Sequence, residues 1–289
     1  MAYRKGWSHA NSQPQLKLDK MHKLDQLFKH HNWPTDRNVD RSLYSRFCKT
    51  LMLLTDHLQD FLIELTKGFI WINGKEYNDI LVDLVKIVRA AYPNKTIYYV
   101  PCKQHDVFNE IKSSDYVWYT LRDNIFHYAI DLGKYEMKNN YEEVSENELL
   151  AGNAIVVLVD DFIGSGGTAI KTIADIRTKF THLRDNTVIK VMSLVAQGDG
   201  IKQLKDAGVD VYYSKYAPKA IEGSNATVEE KIWMYYQMDA IESKIPSFNN
   251  TYHYGYNRSE ALVSMIRCPN NTFPIYWYIP NISPYERIQ

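Results

Sequence analysis

Apolar residues recur every three or four positions from Leu43 through Phe47, Leu51, Leu54, Leu58, Phe61 and Leu62 to Leu65, which predicts one long amphipathic helix over residues 40–67. A turn at Asn73-Gly74 follows. Ile80, Leu81, Leu84, Ile87 and Val88 then predict a second helix from Tyr77 to Ala91, closed by Pro93. Thr96 to Val100 is rich in β-formers and reads as the first central strand of an α/β sheet. Val107, Phe108, Ile111, Trp118 and Leu121 predict a helix over residues 105–126, and the charged, Asn- and Tyr-rich stretch 131–148 reads as a loop. Six consecutive apolar residues, Ala154 to Val159, suit a strand buried on both faces of a parallel sheet, and Ile170, Ile173, Ala174 and Ile176 mark the helix after it. Strand 187–196, helix 197–207 and strand 209–213 continue the alternation, which predicts a parallel sheet with right-handed crossovers. A capping box at Thr227 and Glu230 opens a helix running to Ile245. Prolines and asparagines around residues 269–274 exclude regular structure there, while residues 275–279 are aromatic and β-prone.

These elements divide the chain into a polar, basic arm (1–36), a helical extension (37–94), an α/β core (95–250) and a C-terminal tail (251–289). Composition changes this picture little. With 289 residues and 45% hydrophobic content the chain can bury a full core. Lys plus Arg equals Asp plus Glu at 34 each, so no global field draws it to nucleic acid or to an anionic membrane. Cys48, Cys102 and Cys268 are far apart and odd in number, which argues for a reducing compartment and against a disulfide framework or a zinc site. No apolar run is long enough to span a bilayer, so the expected location is the cytoplasm. Oligomeric state is left open, a homo-oligomer included.

The chemistry concentrates where the apolar run ends, in V-D-D-F-I-G-S-G-G-T from Val159 to Thr168. A glycine-rich turn at a helix start points several backbone N–H groups, and the positive end of the helix dipole, at one place, where an anion should sit. Ser165 and Thr168 can add hydroxyls. Asp160 and Asp161 cannot share that anion, because like charges repel, so they must face a hydrogen-bonding neutral group or a cation. A ribose carrying a 5-phosphate meets both demands. A bare G-x-G-x-x-A match at Gly164, Gly166 and Ala169 lacks the acid expected near the end of the next strand, and a P-loop needs a lysine that this loop lacks.

This string closely resembles the phosphoribosyl pyrophosphate (PRPP) loop of type I phosphoribosyltransferases. The resemblance implies a type I phosphoribosyltransferase-like α/β fold, a parallel sheet flanked by helices, with the N-terminal helices as an extension and the C-terminal tail as a hood over the base. It implies that Asp160 and Asp161 hold the ribose hydroxyls, and that Gly164, Ser165, Gly166, Gly167 and Thr168 hold the 5-phosphate. It further implies that the turn at Lys103 and Gln104 receives the pyrophosphate, with Lys103 as its cation, and that Mg²⁺ bridges substrate oxygens and Asp160 or Asp161. The loop over residues 131–148 would then be a lid, with Lys134 or Lys138 within reach of the leaving group. In the hood, Asn270 and Asn271 would read a base edge and Trp277 would stack on it. The 6-oxopurine branch places an acid three residues after its second acidic residue and uses it on the base. Gly164 stands there, so no general base is implied, and orotate, uracil, adenine or an unusual acceptor stays open. The string R-C-P-N-N-T-F-P-I-Y-W resembles the tail of a divergent phosphoribosyltransferase-like group of bacterial conflict, or antiphage, systems. Three functions follow: a transferase or its reverse, a partner-regulated defence effector whose partner docks on the helical extension, and a non-catalytic PRPP or nucleotide sensor.

Overall fold

The computed structural model describes residues 16–127, 133–183 and 188–287. In chain order the elements are α1 (Leu18–His31), α2 (Leu43–Met52), α3 (Asp56–Thr66), β1 (Ile70–Trp71), α4 (Gly74–Ala91), β2 (Thr96–Pro101), α5 (Ser113–His127), β3 (Tyr135–Met137), α6 (Glu146–Leu150), β4 (Ala154–Ile163), α7 (Gly167–Lys179), β5 (Ile189–Ala196), α8 (Gly198–Asp206), β6 (Asp210–Tyr216), α9 (Val228–Glu242) and β7 (Val263–Ser264). Short 3₁₀ turns lie at His105–Val107, Tyr141–Glu143, Asn250–Tyr252, Tyr256–Arg258 and Pro274–Tyr276.

Five strands form one parallel sheet in the order β3-β2-β4-β5-β6, and β1 pairs with β7 in a separate parallel ribbon. All ten residues of β4 are buried. The reason lies in what covers the sheet. On one face Tyr99, Val157, Val159 and Leu194 pack with Leu81, Leu84 and Val88 of α4 and Val117 and Leu121 of α5. On the other, Val100, Val156, Leu158 and Val191 pack with Ile173 and Ile176 of α7 and Leu204 of α8. A strand covered on both sides needs apolar side chains at every position rather than at alternate ones, so β4 reads as an unbroken run.

The chain forms two compact units that do not follow chain order. One holds residues up to Gly68, Trp233–Phe248 and the residues from Ile275 onward; the other holds Phe69–Ile232 and Asn249–Pro274. The boundary falls inside α9. In the first unit Phe28 packs edge-on to Tyr44 and Phe47 with centroids 5.1 and 5.4 Å away, Thr66 Oγ1 and the Tyr276 hydroxyl lie 2.7 Å apart, and Arg46 pairs with Glu286 at 3.0 Å. The second contains both sheets and the glycine-rich loop after β4.

Several expectations are corrected. The long helix over 40–67 is two helices, because Thr55 has extended backbone ahead of Asp56, and Gln59 Nε2 donates to the carbonyls of Leu51 and Leu54, both at 3.0 Å, where the first helix stops. Asn73 is the N-cap of α4 rather than a free turn: its Oδ1 accepts from the amides of Lys75 and Glu76, both at 3.1 Å. The helix expected from residue 105 begins at Ser113, after a 3₁₀ turn. Residues 133–148 are not a bare loop. Tyr135–Met137 pair with Ile97–Tyr99 as the sheet's edge strand, and α6 follows. Residues 275–279, expected to be β-prone, include a buried 3₁₀ turn instead, since Pro274 brings no N–H to a ladder. Residues 1–15 of the expected arm, 131–132 of the expected lid and 187 of the expected strand lie outside the described residues.

Candidate active site at the carboxyl end of the sheet

Strand β2 ends at Pro101, opposite Val159, so Asp160 and Asp161 emerge just past it, beside β5, where Asp160 faces Ser193. Ligands of open α/β sheets bind outside such strand ends. A cavity of ≈ 540 Å³ opens here, bounded by Gln104, Asp160, the loop from Gly164 to Ala169, Lys171 and a wall formed by Tyr256, Asn257, Asn270 and Asn271. Its size is ordinary for a small-molecule site.

The glycines of the loop are there for close approach. A Cβ on Gly200, near the start of α8, would lie 2.4 Å from the Gly164 carbonyl and 3.1 Å from the Gly166 amide, so α8 presses directly on the loop backbone. Gly166 has φ +79° and is the N-cap of α7. A glycine cap has no side chain to satisfy the first amides of the helix. No acceptor among the described residues takes the N–H of Ser165, Gly166, Thr168 or Ala169. The amide of Gly167 reaches Ser165 Oγ at only 3.4 Å, and Asn257 Nδ2 approaches the same hydroxyl at 3.4 Å. The residues that carry these unused donors line the cavity.

The acidic pair is 8% exposed at each residue. Burial raises the pKa of both, Asp160 furthest, with the neighbouring Asp161 as the next cause for Asp160. Two buried like charges so close together disfavour ionisation of both, which is why Asp160 is raised the further. Asp160 Oδ1 also accepts from the Asp161 amide at 2.9 Å and from Ser113 Oγ at 3.3 Å. The field of both carboxylates reaches Tyr77 of α4, whose hydroxyl is raised far above its usual range, first by burial. Asp160 lines the cavity and Asp161 does not.

The model of the PRTase-CE family matches residues 49–286. The chain belongs to the PRTase-CE family. It is a type I phosphoribosyltransferase-like protein, and its five-stranded parallel sheet flanked by helices is the architecture that the loop motif implied. No curated protein matches it. Among solved structures it is similar to a xanthine-guanine-hypoxanthine phosphoribosyltransferase of Helicobacter pylori, with 14% identity over 52% of this chain and 86% of that one and a TM-score of 0.33. It is also similar to the AQ2163 protein of Aquifex aeolicus, with 12% identity over 61% and 84% and a TM-score of 0.29.

In this PRTase-CE chain the residues singled out from sequence do not all meet at the cavity. Asp160, Gly164 to Thr168, Gln104, Asn270 and Asn271 meet at the cavity. Lys103 does not line it. Its ammonium is 5% exposed as a residue and is committed to Asp115, at 3.0 and 2.9 Å, and to the carbonyls of Phe108 and Glu110 at 3.0 and 2.7 Å, so it pins the turn that carries Gln104. Lys138 pairs with Glu136 at 2.7 Å, and its ammonium lies 5.6 Å from the Tyr98 ring centroid; neither it nor Lys134 lines the cavity. Trp277 belongs to the other compact unit, is 7% exposed and carries the Arg287 guanidinium 5.2 Å from its ring. Cys102 is a buried thiol whose pKa is raised by burial.

Lys171, Tyr256, Asn257 and Ser113 escaped the sequence reading. Among the described residues Lys171 is the one cation lining the cavity, and it has no ion-pair partner there. Its spacing gave a usable signal: three residues after Thr168 on a helix is one turn further along the same face. The other three come from distant segments and carried no local sign.

Proposed function

We propose that this protein binds PRPP or a nucleotide at the strand-end cavity and transfers or removes a phosphoribosyl group, acting as a partner-regulated bacterial defence effector. The observation that carries the reading is the cavity itself, where unused amides and Lys171 stand beside a buried acidic pair. The amides of Ser165 to Ala169, the Ser165 and Thr168 hydroxyls and Lys171 take the 5-phosphate. Asp160, backed by Asp161 and steadied by Ser113, accepts from the ribose hydroxyls. Negative charge at a helix start and hydroxyls on a carboxylate are each placed where the local field favours them.

Mg²⁺ suits this donor set: one lining carboxylate is what that ion usually takes from protein when substrate phosphates supply the rest, and no cluster of three or more candidate ligands occurs among the described residues. Asp160 would hold it, and Asp161 behind it. Bound there, the ion would neutralise charge on a departing pyrophosphate. Asp160, raised by burial, must ionise to accept a cation. The remaining work falls to the chain: holding the sugar and phosphate in line and excluding water. Substrates of this kind are those of the cytoplasm. No helix among the described residues is long and apolar enough to cross a membrane.

A second reading, a PRPP or nucleotide sensor without turnover, is supported by Lys103: with its protons on Asp115 and two carbonyls it offers no free charge to a leaving pyrophosphate. Titration calorimetry of the full chain with PRPP and Mg²⁺, and with 5′-mononucleotides, tests the site. Asp160→Asn with Asp161→Asn should weaken binding at least tenfold while cooperative unfolding persists. Unchanged affinity in the double variant overturns the assignment. Incubation with PRPP and a panel of bases, and with nucleotides plus pyrophosphate, separates the readings: products support the transferase, and binding without products supports the sensor.

A further inference from the structure

We infer that this cavity selects an uncharged nitrogen heterocycle, a neutral nucleobase, over a carboxylate-bearing acceptor, and that Asn271 sets the selectivity; the inference rests on the phosphoribosyl reading above. It starts from backbone strain. Four non-glycine residues within seven positions have left-handed φ: Tyr254 (56°), Asn257 (55°), Arg258 (52°) and Glu260 (50°). Side chains rarely tolerate that region, and such strain persists only where the surroundings over-determine it, often beside a ligand.

Here the surroundings do so. Buried Glu260 accepts from the amides of Ile221 and Glu222, both at 2.9 Å, and its own N–H donates to the Tyr254 carbonyl at 2.8 Å. Buried Gln197 donates to the Ser259 carbonyl at 2.9 Å. What the strained turn achieves is to bring Tyr256 and Asn257 to the cavity wall, next to the phosphate loop.

Asn271 completes that wall in a set orientation. The Ser259 hydroxyl donates to the Tyr256 carbonyl, so its oxygen can only accept, and Asn271 Nδ2 donates to it at 2.7 Å and to the Tyr256 carbonyl at 3.4 Å. With the amide protons used, Oδ1 has no donor among the described residues and remains an acceptor. Its place is informative. A Cβ on Gly164 would lie 2.5 Å from Asn271 Nδ2 and 2.9 Å from its Cγ, so the amide fills the space that a side chain at 164 would take. The polar group presented at the start of the loop is therefore a neutral amide contributed from residue 271.

Charge decides the class of ligand. Asp160 and Lys171 are the charged side chains of the lining, and Lys171 stands on α7 with the phosphate loop. Among the described residues the wall beside them is a phenol and three amides, with no cation to compensate a carboxylate, and burying an unpaired charge is costly. Amides donate and accept, which matches the mixed edge of a neutral base.

The test uses the full chain and calorimetry with ribose 5-phosphate, the adenine, guanine, cytosine and uracil 5′-mononucleotides, and orotidine 5′-monophosphate. We expect at least one neutral-base nucleotide to bind about tenfold tighter than ribose 5-phosphate, the gain of one or two well-placed hydrogen bonds, with orotidine 5′-monophosphate no tighter than ribose 5-phosphate. Asn271→Ala should remove most of that gain, read as the ratio of nucleotide to ribose 5-phosphate affinity within the same protein. Tighter binding of orotidine 5′-monophosphate overturns the inference without any variant, and so does an Asn271→Ala protein that keeps the full gain. Failure to bind ribose 5-phosphate itself overturns the phosphoribosyl reading, and this inference with it.

Discussion

Replacing Gly200 by alanine separates two physical effects of opposite sign. Gly200 is in α8 and does not line the cavity. Helix propensity alone favours alanine there by up to about 1 kcal/mol. Packing opposes it: the new methyl would stand 2.4 Å from the Gly164 carbonyl oxygen, 2.7 Å from Ile163 Cγ2 and 3.1 Å from the Gly166 amide nitrogen. Two of those three neighbours are backbone, which cannot swing aside as a side-chain tip can. Overpacking of this kind costs roughly 1–3 kcal/mol, so Gly200→Ala should be destabilised by about 1–2 kcal/mol net. The strain is relieved by moving the phosphate loop several tenths of an ångström, in a site whose hydrogen bonds tolerate little more. Losing one charge-assisted bond to the phosphate weakens ribose 5-phosphate binding by roughly tenfold or more. Urea unfolding gives the stability and calorimetry the affinity. Gly74→Ala in α4, where a Cβ meets nothing within 4 Å, is the matched control and should be neutral or slightly stabilised. A Gly200→Ala protein as stable as the parent, binding ribose 5-phosphate within about twofold of it, refutes the close-approach account.

Asp160→Asn keeps an oxygen for Ser113 and for the Asp161 amide while removing a buried acid. Because its folded pKa is raised, the native state holds an extra proton from about pH 4 up to that pKa, and the parent's stability falls as pH rises through the window; the variant should therefore melt higher than the parent at pH 8, with the difference fading near pH 4, and equal melting at pH 8 would contradict the buried, raised acid. Lys171→Met, at a side chain with no ion pair among the described residues, should change stability by no more than about 0.5 kcal/mol. It should nonetheless lower ribose 5-phosphate affinity about tenfold at low salt, shrinking at 1 M salt as charge is screened; an affinity unchanged at low salt removes Lys171 from the phosphate site.

Local order was legible in the chain itself. The β4 run, the acidic pair and the glycine turn appear as neighbours because they are neighbours in the chain, and a strand covered on both faces must be apolar throughout. The Thr227–Glu230 capping box was equally legible, and its reciprocal bonds, at 2.7 and 3.2 Å, span only three residues. Periodicity failed where a side chain outside the element closed it, as Gln59 does by donating to the Leu51 carbonyl in α2 and to the Leu54 carbonyl just past its end. It also missed β3, whose three residues are too few to show an alternation.

Tertiary structure alone decided which cation faces the loop. Lys103 and Lys171 are equivalent as letters, but Asp115 claims the first and leaves the second exposed to the cavity. It alone placed Asn271 against Gly164, 107 positions earlier in the chain (271 − 164), and held that contact through Glu260 and the 221–222 amides. It alone gave Trp277 to a different compact unit from its near neighbours Asn270 and Asn271. The division has one cause. Period, capping and turn chemistry act over a few residues and leave a trace in the order of letters, whereas charge pairing and close backbone approach depend on where distant segments come to rest.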